Sequence, residues 1–294
     1  MLNSLHPKFY HMHPENENNC AFHPFKAVAI DLDGTLLGPD YTISEENHAA
    51  IKELHASGLE IILASGRHHV SMLPFARQLP QVKWMVSAQG AFSADLDRKT
   101  ILYENYLPAD KAASIIDVGL ANEYSVIVYT KNGIFCLNEG EWTDFYVHLS
   151  AIKPRLMSRG DILKESIFKL IFIGPEEKIQ AAEDLPGVIA WDLYKVRNMR
   201  NVLEFAGLGT SKALGLKPLL AHLGIDACQL ATFGDAPNDI PMFEIAGYSV
   251  AMDTGWEEAK ATAHAISPVG PPESAFARAV AMLREQAQRT AVDS

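Results

Sequence analysis

Two acidic residues, Asp31 and Asp33, stand one residue apart where the apolar run KAVAI ends. Carboxylates this close raise each other's pKa, so the pair is unfavourable unless a cation or a proton shares the charge. Carboxylate oxygens, water and substrate phosphate are also the ligands that Mg²⁺ prefers. The spacing therefore indicates a site for a divalent cation.

Other polar residues follow other apolar runs. Ser65 comes after LEIILA, Asp235 ends LATFGD, and Asp239 begins the next predicted helix. In open parallel sheets the ligand site lies beyond the carboxyl ends of the strands. We therefore expect these residues to meet Asp31 and Asp33 at one sheet edge, around Mg²⁺.

Such a cluster is suited to phosphoryl transfer. One carboxylate can attack phosphorus and form an aspartyl phosphate, and a second can protonate the leaving oxygen and then activate water. A serine hydroxyl and backbone N–H groups can bind the phosphoryl oxygens, with a lysine to neutralise their charge. Lys212 opens the predicted helix SKALGLKPLL and fits the lysine's role.

The elements that must position these residues form two kinds of region. Strand and helix alternate over residues 26–92 and again over 206–294, which is typical of a parallel α/β sheet. Residues 93–205 contain mainly strand candidates, among them VIAWDLY and a hairpin with Asn132-Gly133 as its turn. The predicted fold class is α/β, with one domain interrupted by an α+β domain at 93–205.

Composition excludes several function classes. The 294 residues are 48% hydrophobic, which is enough for a sizeable core. The formal net charge of −11, without a basic cluster, argues against nucleic-acid binding. No apolar run reaches the roughly 20 residues that span a bilayer, so no membrane partner is expected.

The first 25 residues lack the apolar segment of a secretory signal and are predicted to be a disordered leader. The 3 cysteines are widely spaced and form no CxxC motif, so neither a disulfide framework nor a zinc site is indicated. A reduced, cytoplasmic location is therefore expected. The sequence leaves open a monomer or a small homo-oligomer.

Four segments, DLDGTLL, ASGR, GTSKALGL and FGDAPNDIPMFEIAG, resemble in order the signature motifs of the haloacid dehalogenase superfamily. The likeness is strongest to the Cof-type phosphatases of subfamily IIB, and SGRHHVSMLPF is similar to their pyridoxal-phosphate phosphatase branch. It implies a Rossmann-like three-layer core with a C2B-type cap. It also implies Mg²⁺-dependent hydrolysis of a small phosphorylated metabolite, a sugar phosphate or a pyridoxal-phosphate-like compound.

The resemblance further implies a role for each matched residue. Asp31 would be the nucleophile and Asp33 the general acid/base. Mg²⁺ would be held by Asp31, the backbone carbonyl of Asp33, and Asp235. The remaining matched residues are Ser65, Gly66 and Lys212 for phosphate binding, and Asn238 and Asp239 for support of the metal site.

Two positions depart from the family pattern. Gln89-Gly90 stands where such phosphatases usually carry Asn-Gly, so a polar contact there is either lost or remade. Asp253-Thr254 replaces a usual Gly-Asn, and neither residue is assigned as a ligand.

Alternatives remain at this point. A phosphomutase would use the same core, and release of inorganic phosphate separates the two activities. A phospho-signalling receiver is disfavoured by the large insertion and by Asp33, which should speed hydrolysis of a phosphoenzyme. A ligand-sensing module that has lost activity is disfavoured because no signature residue needed for hydrolysis is missing. His68 and His69 could contact substrate or pack locally, and Arg67 could act in the site or pair with a core acid.

Overall fold

The computed structural model of the protein describes residues 25–292. The leader predicted over residues 1–25 therefore lies, except for Phe25, outside the described part of the chain. The strands are β1 (Ala27–Ile30), β2 (Glu60–Ala64), β3 (Val82–Ser87), β4 (Phe92–Asp95), β5 (Ile101–Glu104), β6 (Ser125–Thr130), β7 (Gly133–Cys136), β8 (Arg155–Leu156), β9 (Ile167–Ile173), β10 (Tyr194–Met199), β11 (Val202–Ala206), β12 (Leu230–Gly234), β13 (Tyr248–Ala251) and β14 (Ala265–Ile266). The helices are α1 (Glu45–Ala56), α2 (His69–Ala76), α3 (Ala109–Ala121), α4 (Glu141–Ser150), α5 (Arg159–Ile162), α6 (Glu176–Glu183), α7 (Pro186–Ala190), α8 (Lys212–Leu223), α9 (Ile240–Ile245), α10 (Glu257–Thr262) and α11 (Ala275–Val292).

The larger sheet has the strand order β14-β13-β12-β1-β2-β3-β4-β5. Pairing is parallel from β14 to β3 and antiparallel from β3 to β5. Alternate residues of β1 face opposite sides: Val28 and Ile30 pack with α1, α2 and α11, whereas Ala27 and Ala29 pack with α8, α9 and α10. The result is a three-layer α/β core, which confirms the predicted fold class.

Local signals explain where α1 and α8 begin. The Ser44 hydroxyl accepts a hydrogen bond from the Asn47 backbone N–H, and Ser211 does the same for Leu214. These N-caps satisfy donors that the first helical turn leaves free. The cap at Ser211 thereby fixes the position of Lys212, the first residue of α8.

The smaller sheet has the order β10-β11-β9-β6-β7-β8 and is antiparallel except between β7 and β8. One face packs against α3, α6 and α7. The other face meets the larger sheet, where Phe168 of β9 lies 5.2 Å from Phe92 of β4 between ring centroids. The two sheets therefore share an apolar contact beside the cavity described below.

Two local expectations differ from the structure. Thr130 pairs with Gly133, so the hairpin turn is Lys131-Asn132 and not Asn132-Gly133. The segment VIAWDLY is not a strand at its start, because Pro186 begins the short helix α7. Strand β5 and all of β4 except Phe92 lie within the predicted insertion from residue 93, and both strands extend the larger sheet. The division at 93–205 remains a prediction.

Among residues 25–292, no helix combines the length and the apolar character needed to cross a bilayer. Cys136 is a buried free thiol.

Candidate active site

The pair Asp31 and Asp33 and the late motif FGDAPND meet at one edge of the larger sheet. Strands β12, β1 and β2 are neighbours, and Asp235, Asp31 and Ser65 immediately follow them. The Asp31 backbone N–H donates to the Phe233 carbonyl at 2.9 Å, which continues the β1–β12 ladder up to the acid. The parallel pairing of apolar strands thus delivers three polar side chains to one place.

Lys212 connects two of the buried carboxylates. Its Nζ donates to Asp31 Oδ1 and, at 2.6 Å, to Asp239 Oδ1. The Lys212 side chain is fully buried, and so is that of Asp239. Burial opposes the charge of Lys212, but Asp239 and Asp31 raise its pKa, so the lysine is a cation here. Burial also raises the pKa of Asp31, and the nearby acids raise it further.

Asp239 supports the loop that carries Asp235. Its Oδ2 accepts hydrogen bonds from the backbone N–H groups of Asp235 at 2.8 Å and Ala236 at 3.0 Å. Both Asp239 oxygens therefore have partners within the chain. The Asp235 carboxyl instead faces Gly34, where a Cβ would lie 2.5 Å from Asp235 Oδ2, so the close approach requires glycine.

Ligand oxygens of Asp31, Asp235 and Asp239 lie within 4.8 Å of one another and could hold a metal ion. Burial, and next the charge of Asp239, raises the pKa of Asp235 to about 7. A hard cation bound to this oxygen set would relieve that repulsion. Asn238 Oδ1 is buried and has no hydrogen-bond partner among residues 25–292, so it offers a further acceptor at the site.

Asp33 is oriented by an arginine of the second motif. Arg67 Nε donates to Asp33 Oδ2 at 2.8 Å, and its Nη2 donates to Asp33 Oδ1 at 2.6 Å. The Asp33 side chain is 42% exposed and lines the same cavity as Asp31, whereas Arg67 is largely buried. Asp33 is thus the accessible acid of the pair, and Asp31 the buried one.

The cavity beside these residues has a volume of about 620 Å³. Ser65 and Gly66 lie at its wall, and the Ser65 hydroxyl accepts a hydrogen bond from the Arg67 backbone N–H at 3.2 Å. From the smaller sheet and α4 come Tyr129 and Tyr146, whose hydroxyl groups share a hydrogen bond of 3.0 Å. The cavity therefore has an acidic end at the larger sheet and an aromatic wall from the smaller one.

Residues 28–274 match the family of haloacid dehalogenase-like hydrolases, which is most of the chain. The chain belongs to this family. The HMP-PP phosphatase of Serratia proteamaculans (strain 568) is 28% identical over 255 residues, which cover 84% of this chain and 90% of that protein. The 5-amino-6-(5-phospho-D-ribitylamino)uracil phosphatase YitU of Bacillus subtilis (strain 168) is 26% identical, over 81% of this chain and 90% of its own.

Solved structures agree with this membership. A haloacid dehalogenase-like hydrolase from Bacteroides thetaiotaomicron is similar with TM-score 0.77 and 25% identity, over 88% of this chain and 99% of that one. A sugar phosphatase of subclass IIB of the superfamily has the same fold, with TM-score 0.77 and 20% identity over 88% of this chain and 99% of its own.

The two departures from the family pattern have structural explanations. Gln89 remakes a polar contact: its Oε1 accepts from Asn238 Nδ2, and its Nε2 donates to Glu204 Oε2, both at 2.9 Å. Asp253 pairs with Arg278 at 3.3 Å and is buried away from solvent. Thr254 lines the cavity.

The adjacent histidines are structural in this arrangement. His68 Nδ1 accepts from the Val70 backbone N–H at 3.1 Å, and its Nε2 lies 2.9 Å from the Thr130 carbonyl oxygen. His69 Nε2 lies 3.0 Å from the Leu96 carbonyl oxygen. Burial lowers the pKa of each histidine to about 4, so both are neutral near pH 7.

Sequence reasoning missed two buried charged residues beside the site, Lys169 and Glu204. Their Nζ and Oε1 atoms are 2.9 Å apart, and the Lys169 side chain is 1% exposed. The available signal was a charge inside each of two otherwise apolar strands, IFKLIFI and VLEFA. Such a charge requires a partner when it is buried.

Proposed function

We propose that this haloacid dehalogenase-like hydrolase is a Mg²⁺-dependent phosphatase that forms an aspartyl phosphate on Asp31. The observation that carries the proposal is that Asp31, Asp33 and Ser65 line one cavity while Lys212 holds Asp31 from behind. A buried carboxylate fixed by a lysine, next to an accessible acid, is what a two-step phosphoryl transfer requires.

Asp31 is the nucleophile in this proposal. Lys212 donates to Asp31 Oδ1, where its charge opposes the rise in the Asp31 pKa that burial causes, and it leaves Oδ2 for attack on phosphorus. Ser65 and the backbone at Gly66 bind the phosphoryl oxygens that do not react. Lys212 also offsets the negative charge that the phosphoryl group brings.

Asp33 is the general acid and then the general base. Its partial exposure at the cavity allows a proton to pass first to the leaving oxygen and then from the attacking water. Arg67 sets the direction in which its carboxylate points.

Mg²⁺ would be held by Asp31, Asp235 and the backbone carbonyl of Asp33, with Asp239 and Asn238 in support. When bound, the ion neutralises the phosphate and the clustered carboxylates. Asp239 is assigned to support because both of its oxygens already accept hydrogen bonds from Lys212 and from the loop it orders.

The substrate is proposed to be a small phosphorylated metabolite, either a sugar phosphate or a pyridoxal-phosphate-like compound. A cavity of about 620 Å³ accommodates a small molecule and excludes a folded phosphoprotein. The names of the two curated relatives, which describe phosphatases of small phosphorylated compounds, favour the same size class.

The domain at 93–205 is proposed to act as a cap that excludes water from the site. We also propose a cytoplasmic location, which cell fractionation tests, and a monomer or small homo-oligomer, which light scattering tests.

A panel of phosphorylated metabolites, including pyridoxal phosphate and hexose phosphates, tests the function by release of inorganic phosphate. We expect release that requires Mg²⁺, stops in EDTA and is abolished in Asp31→Asn. A wild-type protein that only moves the phosphoryl group within the substrate would instead be a phosphomutase. Activity that persists without divalent metal, or in Asp31→Asn, would overturn the proposal.

A further inference from the structure

A chain of hydrogen bonds links the smaller sheet to the loops of the candidate active site. It begins at Lys169 of β9 and Glu204 of β11, whose ion pair spans adjacent strands. It continues through Gln89, whose Nε2 donates to Glu204 Oε2, and ends at Asn238, whose Nδ2 donates to Gln89 Oε1. We call these four residues the polar relay.

The direction of every hydrogen bond in the polar relay follows from its two charges. A carboxylate only accepts hydrogen bonds, so Glu204 must receive them from Lys169 and from the Gln89 amide nitrogen. The Gln89 oxygen is then the acceptor that faces Asn238, which must offer its Nδ2. Asn238 lines the cavity, and its buried Oδ1 has no hydrogen-bond partner within the part of the chain that the structure describes.

Lys169 also binds the loop that carries Ser65. Its Nζ donates to the Gly66 carbonyl oxygen at 2.7 Å. That oxygen belongs to the same peptide unit as the Arg67 N–H, which donates to the Ser65 hydroxyl. Because a peptide unit is planar, fixing its carbonyl fixes the direction of its N–H and hence the place of the serine oxygen.

Gln89 has the length that the polar relay requires. It joins Glu204 and Asn238 with both ends of its amide at 2.9 Å, and its backbone has φ 61° in the left-handed region. Asparagine is at least as well suited to that backbone conformation but is one methylene shorter. Asparagine at position 89 would therefore keep the turn and lose at least one of the two bonds.

We infer that Lys169, Glu204 and Gln89 are positioning residues, which aim the Ser65 hydroxyl and Asn238 Oδ1 into the cavity. The inference rests on the proposed function, which assigns the Ser65 hydroxyl to phosphate binding and Asn238 to support of the metal site. Burying an ion pair gives little net stability compared with apolar residues of similar size. We therefore assign the Lys169–Glu204 ion pair a role in orienting the loops of the site and not in stabilising the fold.

Gln89→Glu is the sharpest test because it keeps the shape of the side chain. At low pH a protonated acid at position 89 can donate to Glu204 and accept from Asn238, as the amide does. At high pH it is a carboxylate facing Glu204, with Lys169 as the shared cation, and the polar relay breaks by repulsion. The kcat ratio of variant to wild type should thus fall by about tenfold or more between pH 5.5 and pH 8.

Gln89→Asn should lower kcat by about tenfold at both pH values, with a smaller change in KM, because the loops lose their alignment and not their charge. Gln78 is exposed, so Gln78→Glu and Gln78→Asn are matched controls that should behave as wild type at both pH values. A Gln89→Glu variant with wild-type kcat at pH 8, or with equal loss at both pH values, would overturn the inference.

Hydrogen exchange separates this inference from the proposed function. The polar relay predicts faster exchange of the amides of residues 65–67 in Gln89→Glu than in wild type at pH 8, whether or not the protein hydrolyses any ester. Unchanged exchange there contradicts the polar relay. Wild-type protein that releases no phosphate from the panel and binds no inorganic phosphate with Mg²⁺ present would contradict the proposed function alone. Should Gln89→Glu fail to fold, Gln89→Asn supplies the same exchange comparison.

Discussion

The Arg67 guanidinium donates to both carboxylate oxygens of Asp33, at 2.8 Å and 2.6 Å. The guanidinium carbon lies 5.6 Å from the ring centroid of Tyr41 and 5.2 Å from that of Phe75. Arg67 is therefore held by aromatic packing as well as by charge, and it holds the accessible acid of the pair in one orientation.

Arg67→Lys should lower kcat about tenfold to a hundredfold, because a lysine cannot form the two parallel hydrogen bonds that orient Asp33. Steady-state kinetics with the preferred phosphate ester measure the effect. Arg159 makes a similar paired contact with Asp117 on the surface, at 2.6 Å and 2.8 Å, so Arg159→Lys is the matched control. Equal kcat values in Arg67→Lys and wild type would show that catalysis does not depend on the orientation of Asp33 by Arg67.

Lys212→Met should destabilise the metal-free protein by about 3–5 kcal/mol, because it leaves Asp31 and Asp239 buried without their cation. Urea unfolding in EDTA gives the free energy of unfolding. The double variant Lys212→Met/Asp239→Asn should lose less than Lys212→Met, since one of the unpaired charges is then removed. Equal stability of Lys212→Met and wild type would show that Lys212 is not the counter-ion.

Asp235→Asn should weaken Mg²⁺ binding by at least about tenfold, because a neutral amide replaces a carboxylate of the acidic cluster. Titration calorimetry measures the affinity, and Mg²⁺ should also raise the Tm of the wild-type protein. Asp192 is exposed, so Asp192→Asn is the control for loss of one negative charge. The same Mg²⁺ affinity in Asp235→Asn and wild type would place the ion elsewhere.

His68 should make the protein less stable in mild acid. Burial lowers its folded-state pKa to about 4, whereas an unfolded histidine titrates near 6.5, so the unfolded chain binds more protons between these values. The contribution of neutral His68 to the free energy of unfolding is present above pH 6.5 and is lost as the pH falls towards 4. Between pH 7 and pH 5 this loss should lower the free energy of unfolding by about 2 kcal/mol.

Urea unfolding of His68→Asn at the two pH values checks this sign. Asparagine retains an oxygen that can accept from the Val70 N–H in place of His68 Nδ1. Its free energy of unfolding should therefore differ less between pH 7 and pH 5 than that of the wild type. A difference as large as in the wild type would assign the acid sensitivity to other groups.

The acids at the strand ends could be predicted from sequence because β1, β2 and β12 are continuous apolar runs, and parallel pairing brings their carboxyl ends together. The antiparallel extension of the larger sheet by β4 and β5 could not be predicted, because the sequence of a short edge strand does not indicate which sheet it joins. The prediction of a strand at the start of VIAWDLY was wrong for a related reason. An apolar stretch of this length fits a buried helix turn as well as a strand.

The contacts of the functional side chains could not be predicted from sequence, even for residues that the sequence analysis had singled out. Arg67 was recognised as a residue that could pair with an acid, but the fold decides that its partner is Asp33. The glutamine at position 89 was recognised as a departure, and only the approach of β11 shows that it reaches Glu204. Contacts between distant strands depend on three-dimensional packing, which spacing along the chain does not encode.

The most direct test of the account is to trap the phosphorylated carboxylate. Asp33→Asn lacks the base that activates water, so a phosphorylated Asp31 should accumulate in it. The variant is mixed with Mg²⁺ and p-nitrophenyl phosphate, a substrate whose good leaving group does not need the missing acid. The reaction is then quenched in acid. Peptide mass spectrometry should find one phosphoryl group on Asp31, and none in Asp31→Asn/Asp33→Asn. Release of p-nitrophenol by Asp33→Asn without phosphorylated Asp31 at any time would contradict the mechanism.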